Sequence, residues 1–303
     1  MKCPLCNNEK IKEIESICKN DLAKLYKNMT NLDFNYLINK DLKYCECKEC
    51  KLRFYDPLIT GDEKFYNSLQ KFDWYYMDEK EEYIYAKDYI KSTDKVLEVG
   101  SGKGAFAKHI STNDYIGLDF SENAKKMAAK NGIHIENEMV QDYSKKHKEE
   151  FDVVVSFQVL EHVSDPKSFI EAKLEALNKG GKLIIAVPSE DSFLKYVTNG
   201  ILNMPPHHVT RWSDKTFKYI ANTYNLTIET IYHEKVQEVH KAWYLNTLVS
   251  NSISTNKIIS FSLIDKLKSK LASLIGRFLS RGLNDEMLPN GHTVLVVYKK
   301  INY

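Results

Sequence analysis

A pair of carboxylates flanking a glycine-rich turn is the feature of this 303-residue sequence best suited to chemistry: Glu98-Val-Gly100-Ser-Gly102-Lys-Gly104, then Asp119 at the end of the next apolar run. Small residues let a backbone turn tightly and approach a ligand closely. A helix starting there presents N–H groups that have no partner within the helix. A carboxylate about twenty residues further on is placed to accept hydrogen bonds from two ribose hydroxyls. The run from Gly100 to Ala105 also satisfies the dinucleotide fingerprint G-x-G-x-x-A, so a nicotinamide-dependent, NAD(P)-type reductase is a genuine rival. Glu98 separates the two readings. A carboxylate beside a pyrophosphate is repelled, whereas one beside the cationic amino-acid end of a ligand is attracted.

The cysteines offer a second chemistry. Cys3-x-x-Cys6 and Cys47-x-x-Cys50 form two knuckles, each holding two thiolates on one side of a tight turn. Two knuckles that meet make a closed, structural four-sulfur zinc site. Cys45 leaves a different ligand choice open through Cys45-x-Cys47. The start MKCPLC carries no apolar core of an export signal, so all six cysteines are expected to stay reduced in the cytoplasm.

These residues must be positioned by regular elements. Lys95–Val99, Tyr115–Leu118, Ile133–Ile135, Phe151–Ser156 and Lys182–Val187 read as strands. Helical stretches separate them: one after the glycine turn with Phe106 and Ile110, one capped by Ser121, and one over Pro166–Leu177. Strands alternating with helices at this spacing imply an α/β fold with a mostly parallel sheet. Beyond Pro188 come a proline-marked loop, Asn203–Trp212, a helix from Ser213 to about Asn222, a strand at Leu226–Ile231, and a final strand at Thr293–Lys299. The long gap between the cysteine knuckles calls for a helical insert over Asp21–Leu37. The divisions expected are a zinc-ribbon-like element over 1–57, a helical aromatic lid or linker over 58–94, the core over 95–235, a helical insertion over 236–290, and the closing strand over 291–303. Trp74-Tyr75-Tyr76 belong to the aromatic segment, as core or as a lid.

A net charge of +2 and the lack of a basic–aromatic stripe speak against nucleic acid as a partner. Ser262–Arg281 is amphipathic, with Leu263, Ile264, Leu267, Leu271, Leu274, Ile275, Phe278 and Leu279 on one face and lysine, arginine and serine on the other. That face is expected to bury itself on the catalytic domain or a second subunit. The sharper alternative is peripheral contact of 262–281 with an anionic membrane surface.

VLEVGSGKGAFAKHI, YIGLDFSENA, FDVVVSFQVLEHVSDPKSFI and LNKGGKLIIAVPSED, in that order, resemble the successive motifs of class I S-adenosylmethionine-dependent methyltransferases. The likeness is strongest to the branch with ubiquinone-biosynthesis O-methyltransferases and sugar methyltransferases, and it covers roughly residues 90–235 plus the last strand. It implies a Rossmann-like sheet with an antiparallel last strand. It further implies that Glu98, Gly100 and Gly102 hold the methionine part of the cofactor, that Asp119 binds its ribose, and that Phe120 lies against its adenine. Glu138-Met139, or else Asp142, would reach the adenine amino group, and Gln158 and Val159 would line the sulfonium. Some sugar methyltransferases also resemble the chain at its cysteine knuckles and at Phe54-Tyr55-Asp56-Pro57, although Lys51 stands where glycine usually follows the last cysteine.

Methyl transfer is an in-line displacement, so alignment of the reacting atoms and exclusion of water are the main demands. A hydroxyl or ammonium acceptor also needs a general base. The candidates are His162, Glu161, His207 and His208. His162 follows the fourth strand at the carboxyl edge, where open α/β sheets place their sites. His207 and His208 are adjacent, so one of them at most is expected to point inward. Arg211 and Trp212 either take a phosphate and a ring or anchor their loop. The expected acceptor is a small molecule, a sugar or nucleotide sugar, with a quinone- or lipid-like phenol or RNA as alternatives.

Overall fold

The computed structural model describes residues 1–69, 79–253, 257–280, 282 and 288–301. Trp74, Tyr75 and Tyr76, read from the sequence as core or lid, lie outside the described residues, as does Arg281. Phe151–Phe157 (β7) is buried along almost its whole length, so it has no face to offer water and takes the middle of a sheet. On one side lie Val96–Val99 (β4), Tyr115–Leu118 (β5) and Ile135–Glu136 (β6), all parallel. On the other lies Leu177–Pro188 (β8), parallel to β7, followed by Asn290–Lys300 (β11) and Leu226–Lys235 (β10). β11 runs antiparallel to both β8 and β10, as the sequence leads one to expect for the last strand.

Two helices start at the caps expected for them, Ser121 and Ser213, and a third at Asp165. Ser121 accepts a hydrogen bond from the Ala124 N–H at the start of Glu122–Lys130 (α4), and Asp165 does the same for Ser168 ahead of Pro166–Ala176 (α6). Ser213 caps Asp214–Thr223 (α7) through the Thr216 N–H. The helix expected after the glycine turn shrinks to a single 3-10 turn, Phe106–His109, because Ile110 is already extended and Thr112 bonds back to Asp94. The insert between the knuckles is shorter than Asp21–Leu37: Lys19–Thr30 (α1) ends at Asn31, which takes a left-handed conformation and donates its N–H to the Lys27 carbonyl.

The N-terminal segment builds a second sheet from Ile11–Ile17 (β1), Leu42–Cys47 (β2) and Arg53–Asp56 (β3). Its fourth strand is Thr210–Arg211 (β9), supplied by the proline-marked loop of the catalytic part. The small sheet therefore holds that loop in place. Arg211 is the anchor, as one of its two readings had it: it is buried, its guanidinium lies over Tyr44 and donates to Tyr55 and to the Asn203 carbonyl, and Trp212 is wholly buried.

Lys241–Ile253 (α8) and Leu263–Ser280 (α9) fill the helical insertion. Their contact overturns one of the two burials expected for the leucine face of α9, that on the catalytic domain, and does not bear on a second subunit. The small residues Ala272 and Gly276 face α8, close enough that a Cβ on Gly276 would lie 2.7 Å from the Asn246 nitrogen. Only small residues permit so close an approach of backbones. The leucine face is therefore turned away from the catalytic domain, with Leu267 67%, Leu274 66% and Phe278 73% exposed.

Candidate functional site

The crevice starts where β4 ends. Gly100, Gly102 and Gly104 all take positive φ, which glycine adopts without strain. A Cβ on Gly100 would lie 2.3 Å from a methyl of Val159, so the turn and the segment after β7 touch at a point that admits no side chain. Asp119, at the end of β5, closes the turn from the other side. One of its oxygens accepts from the Gly102 N–H at 2.8 Å and the other from the Ser121 N–H at 2.8 Å. A carboxylate has four lone-pair directions, so both oxygens keep capacity for hydroxyl donors.

Glu98 lies beside it within β4, 1% exposed. Its carboxylate accepts from the Tyr115 hydroxyl at 2.5 Å, and burial pushes its pKa up to about 8 against that bond. A buried carboxylate whose hydrogen-bond donor among the described residues is the Tyr115 hydroxyl, with Lys80 near enough to favour its charged form, suits an ammonium. Phe120 stands 65% exposed just past Asp119, and Asn137 bonds its carbonyl at 2.9 Å. Met139, two residues past Asn137, is 47% exposed. Glu138 pairs with Lys146 and Asp142 with Lys145, each at less than 3 Å, while the Met139 side chain stands half exposed between them in sequence. Carboxylates, small turn and bare apolar rim thus fit the donors, backbone and flat base of an adenosyl amino acid.

Gln158 leaves β7 with φ +56, an uncommon state for a residue with a side chain, and donates to Glu82 of Glu81–Ala86 (α3) at 3.2 Å. Tyr115 and Glu82 escaped the sequence reading. Tyr115 opens the stretch YIGLDFSENA but was read there only as the start of a strand, Glu82 lies outside the quoted stretches, and the sheet register and the return of α3 bring the two here.

Four residues further on, the chain meets the proline-marked loop. His162, His207 and His208 put their ligand atoms within 4.8 Å of one another. Both members of the adjacent pair point inward, contrary to expectation. The turn that follows the two prolines sends both backbone N–H groups to the Met204 carbonyl, and the rings stack at 4.4 Å instead of diverging. Burial lowers the pKa of His162 to about 4 and that of His207 to about 3, so both are neutral at physiological pH. Glu161, 1% exposed, lies beneath them, its pKa raised by burial to about 8. A separate cavity of about 540 Å³ opens between α8 and α9, lined by Tyr196, Trp243 and Lys270, and holds none of the expected site residues.

The cysteine knuckles are near copies of each other. Asn7 donates to the Cys3 carbonyl and Lys51 to the Cys47 carbonyl, each at 3.0 Å and each with positive φ. Cys3 and Cys50 sulfurs approach to 3.4 Å and Cys6 and Cys47 to 3.5 Å, the spacing of ligands around one tetrahedral ion. Cys45 stands outside this group, its thiol turned to Met1 and to the Lys43 carbonyl.

Comparison with known proteins follows the same lines. The profile of a family described as "Methyltransferase domain" matches residues 70–231, more than half the chain. A 98-residue stretch is 42% identical to an uncharacterized protein of Methanocaldococcus jannaschii, covering 32% of this chain and 46% of that protein. A ubiquinone biosynthesis O-methyltransferase of Salmonella newport is 30% identical over 146 residues, 40% of this chain and 60% of that one. The chain thus spans about half the length of the curated relatives it matches. Among solved structures, a chain from the complex between the Haloferax volcanii Trm112 methyltransferase activator and a proposed methyltransferase superposes with a TM-score of 0.50. It is 14% identical, and the match covers 78% of this chain and 93% of that one, a likeness of fold.

Proposed function

The chain belongs to the class I S-adenosylmethionine-dependent methyltransferase family, and on that premise we propose that it methylates a hydroxyl-bearing small molecule, a sugar or nucleotide sugar first. The observation that carries the reading is the pairing of buried Glu98 with Asp119 across the glycine turn. In this reading Glu98 receives the cofactor's ammonium, Gly100 and Gly102 let the backbone close on its methionine part, and Asp119 takes the ribose hydroxyls. Phe120 and Met139 cover the adenine, and Gln158 and Val159 wall the sulfur end. Bound there, S-adenosylmethionine supplies a methyl on an electrophilic sulfonium. The residues' part is to align the acceptor, keep water out and receive its proton, and the acceptor oxygen is placed toward Glu161, His162, His207 and His208.

Cys3, Cys6, Cys47 and Cys50 would hold a structural zinc ion, which fixes the small sheet and, through β9, the histidine loop. Residues 1–57 then act as a platform for the core over 95–235 and 291–303. A phenolic acceptor is the second reading, favoured by the ubiquinone biosynthesis relative.

No helix among the described residues is long and apolar enough to cross a membrane. The bare leucine face of α9 supports peripheral contact instead. At about 3.6 residues per turn, Lys266, Lys270 and Arg277 border that face on one side and Lys268 on the other. Cations on both edges suit an anionic lipid surface and would repel one another in a pairing of two copies. Flotation with anionic but not with neutral vesicles is the result expected, and no flotation with either removes the contact.

Labelled methyl transfer against nucleotide sugars, phenols and RNA tests the acceptor. Label in sugars or nucleotide sugars is expected, label in phenols alone selects the second reading, and label in RNA alone overturns both.

A further inference from the structure

The wall of the histidine pocket is made of lone pairs. The Nδ1 of His162 faces the His207 carbonyl at 2.6 Å, and the Nδ1 of His207 faces the Leu202 carbonyl at 3.0 Å. The Nδ1 of His208 faces the Asn203 side-chain oxygen at 3.5 Å. A carbonyl oxygen only accepts, so each Nδ1 carries the proton and each Nε2 presents a lone pair. Two of these Nε2 atoms, on His162 and His208, lie 3.8 Å from one Glu161 oxygen. Both oxygens of Glu161 are buried and have no hydrogen-bond partner among the described residues. Two imidazole acceptors beside this buried carboxyl, with the third imidazole close by, leave lone pairs facing one another unless a proton or a metal ion sits between them. Outer carbonyl bonds that fix the imidazole tautomers are also the usual support of metal-bound histidines.

We propose that Glu161, His162, His207 and His208 form a binding site for one divalent first-row transition ion, separate from the four-cysteine site. Three imidazoles and a carboxylate suit zinc, iron or nickel better than magnesium or calcium, which prefer oxygen alone. His162 has one-fifth of its side chain exposed, so the site opens on that side, where an acceptor oxygen has room to join the ion. A hydroxyl bound there would lose its proton more readily, and the histidines would serve as ligands instead of as bases. Ion binding stands independently of the transfer reading, and only this last role rests on it.

The test uses the full chain loaded with Zn2+ and freed of loose metal over a chelating resin. X-ray absorption of the wild type is expected to give nitrogen and oxygen neighbours of zinc together with sulfur, at two equivalents per chain. The His207→Ala/His208→Ala double variant is expected to drop to one equivalent with sulfur neighbours only. A folded wild-type chain whose zinc is surrounded by sulfur alone overturns the proposal, as does a double variant that keeps both equivalents. Because the wild-type spectrum decides by itself, a variant that fails to fold leaves the test intact. Calorimetry with S-adenosylmethionine on the same sample separates the two claims: cofactor binding beside sulfur-only zinc sinks this inference alone, and a mixed shell without cofactor binding sinks the transfer reading alone.

Discussion

Glu98 and Glu161 occupy corresponding places, one within β4 and the other just past the adjacent strand β7. Each is 1% exposed, and burial pushes each carboxyl up to about 8. Their neighbours differ. Glu98 has the Tyr115 hydroxyl as a donor and opens on a glycine turn, whereas Glu161 has no hydrogen-bond donor among the described residues and faces imidazole nitrogens. Equal burial therefore leads to different chemistry. A carboxylate with one donor beside a backbone cradle is built for an organic cation that brings its own N–H groups. A carboxylate ringed by acceptors is built for an ion that brings none.

Changes at Asp119 should have the largest effect, because it works on the ligand and on the turn together. Asp119→Ala would remove the two ribose contacts proposed for this carboxylate and free the Gly102 and Ser121 N–H groups. The dissociation constant for S-adenosylmethionine is expected to rise by about a hundredfold, or about 3 kcal/mol, by calorimetry. The same substitution should leave zinc content unchanged, because Asp119 touches neither cluster.

A pH series sharpens the contrast at Glu98. Its carboxyl is raised to about 8, so below that pH it is mostly protonated and offers an ammonium no charge. Binding a cation draws on the ionised form, so affinity is expected to climb toward about pH 8, by about tenfold per unit. Glu98→Gln should lower affinity at pH 8 and flatten this climb. A climb of the same steepness in the variant would show that Glu98 does not face the cation.

Stability of metal-free protein separates the carboxylates in the opposite sense. Glu161→Gln replaces a buried carboxyl that has no hydrogen-bond partner among the described residues with an amide that can donate to the imidazole nitrogens. It is expected to stabilise the metal-free chain by about 1–3 kcal/mol in denaturant unfolding, and to weaken zinc retention. Glu98→Gln already has a partner to lose and should stabilise nothing. If both substitutions act alike, the two pockets are not different in kind.

The smallest expected effect lies outside both pockets. Lys51 takes φ +63 at the turn after Cys50, a conformation that favours glycine. Lys51→Gly should raise stability by about 1 kcal/mol in zinc-loaded protein, seen as a higher melting temperature, with cofactor affinity unchanged.

That residue also marks what the sequence made legible. Glycine spacing, the carboxylates two residues before and about twenty after, and the order of strands and helices were readable because they are local and periodic. The knuckles were readable for the same reason, down to the odd lysine, whose backbone angle now accounts for the glycine usual there. The histidine pocket was readable only as a set of candidates. His162 and His207 lie 45 residues apart, and β9 must pair with β3 before the loop can bring the second pair over Glu161. No spacing rule encodes that approach, nor the parallel stacking of two adjacent rings. The leucine face of α9 was legible as apolar but not as to what meets it, for a related reason: periodicity reports that a face is apolar, and Gly276 decided which face met α8.

Calorimetric titration of the full chain with S-adenosylmethionine and with NADH at about pH 8 puts the assignment of the Glu98–Asp119 crevice to its most direct test. The expected result is one S-adenosylmethionine bound per chain, weakened by both Asp119→Ala and Glu98→Gln, and no heat from NADH beyond dilution. Binding of NADH in place of S-adenosylmethionine, or S-adenosylmethionine affinity indifferent to both substitutions, would contradict it.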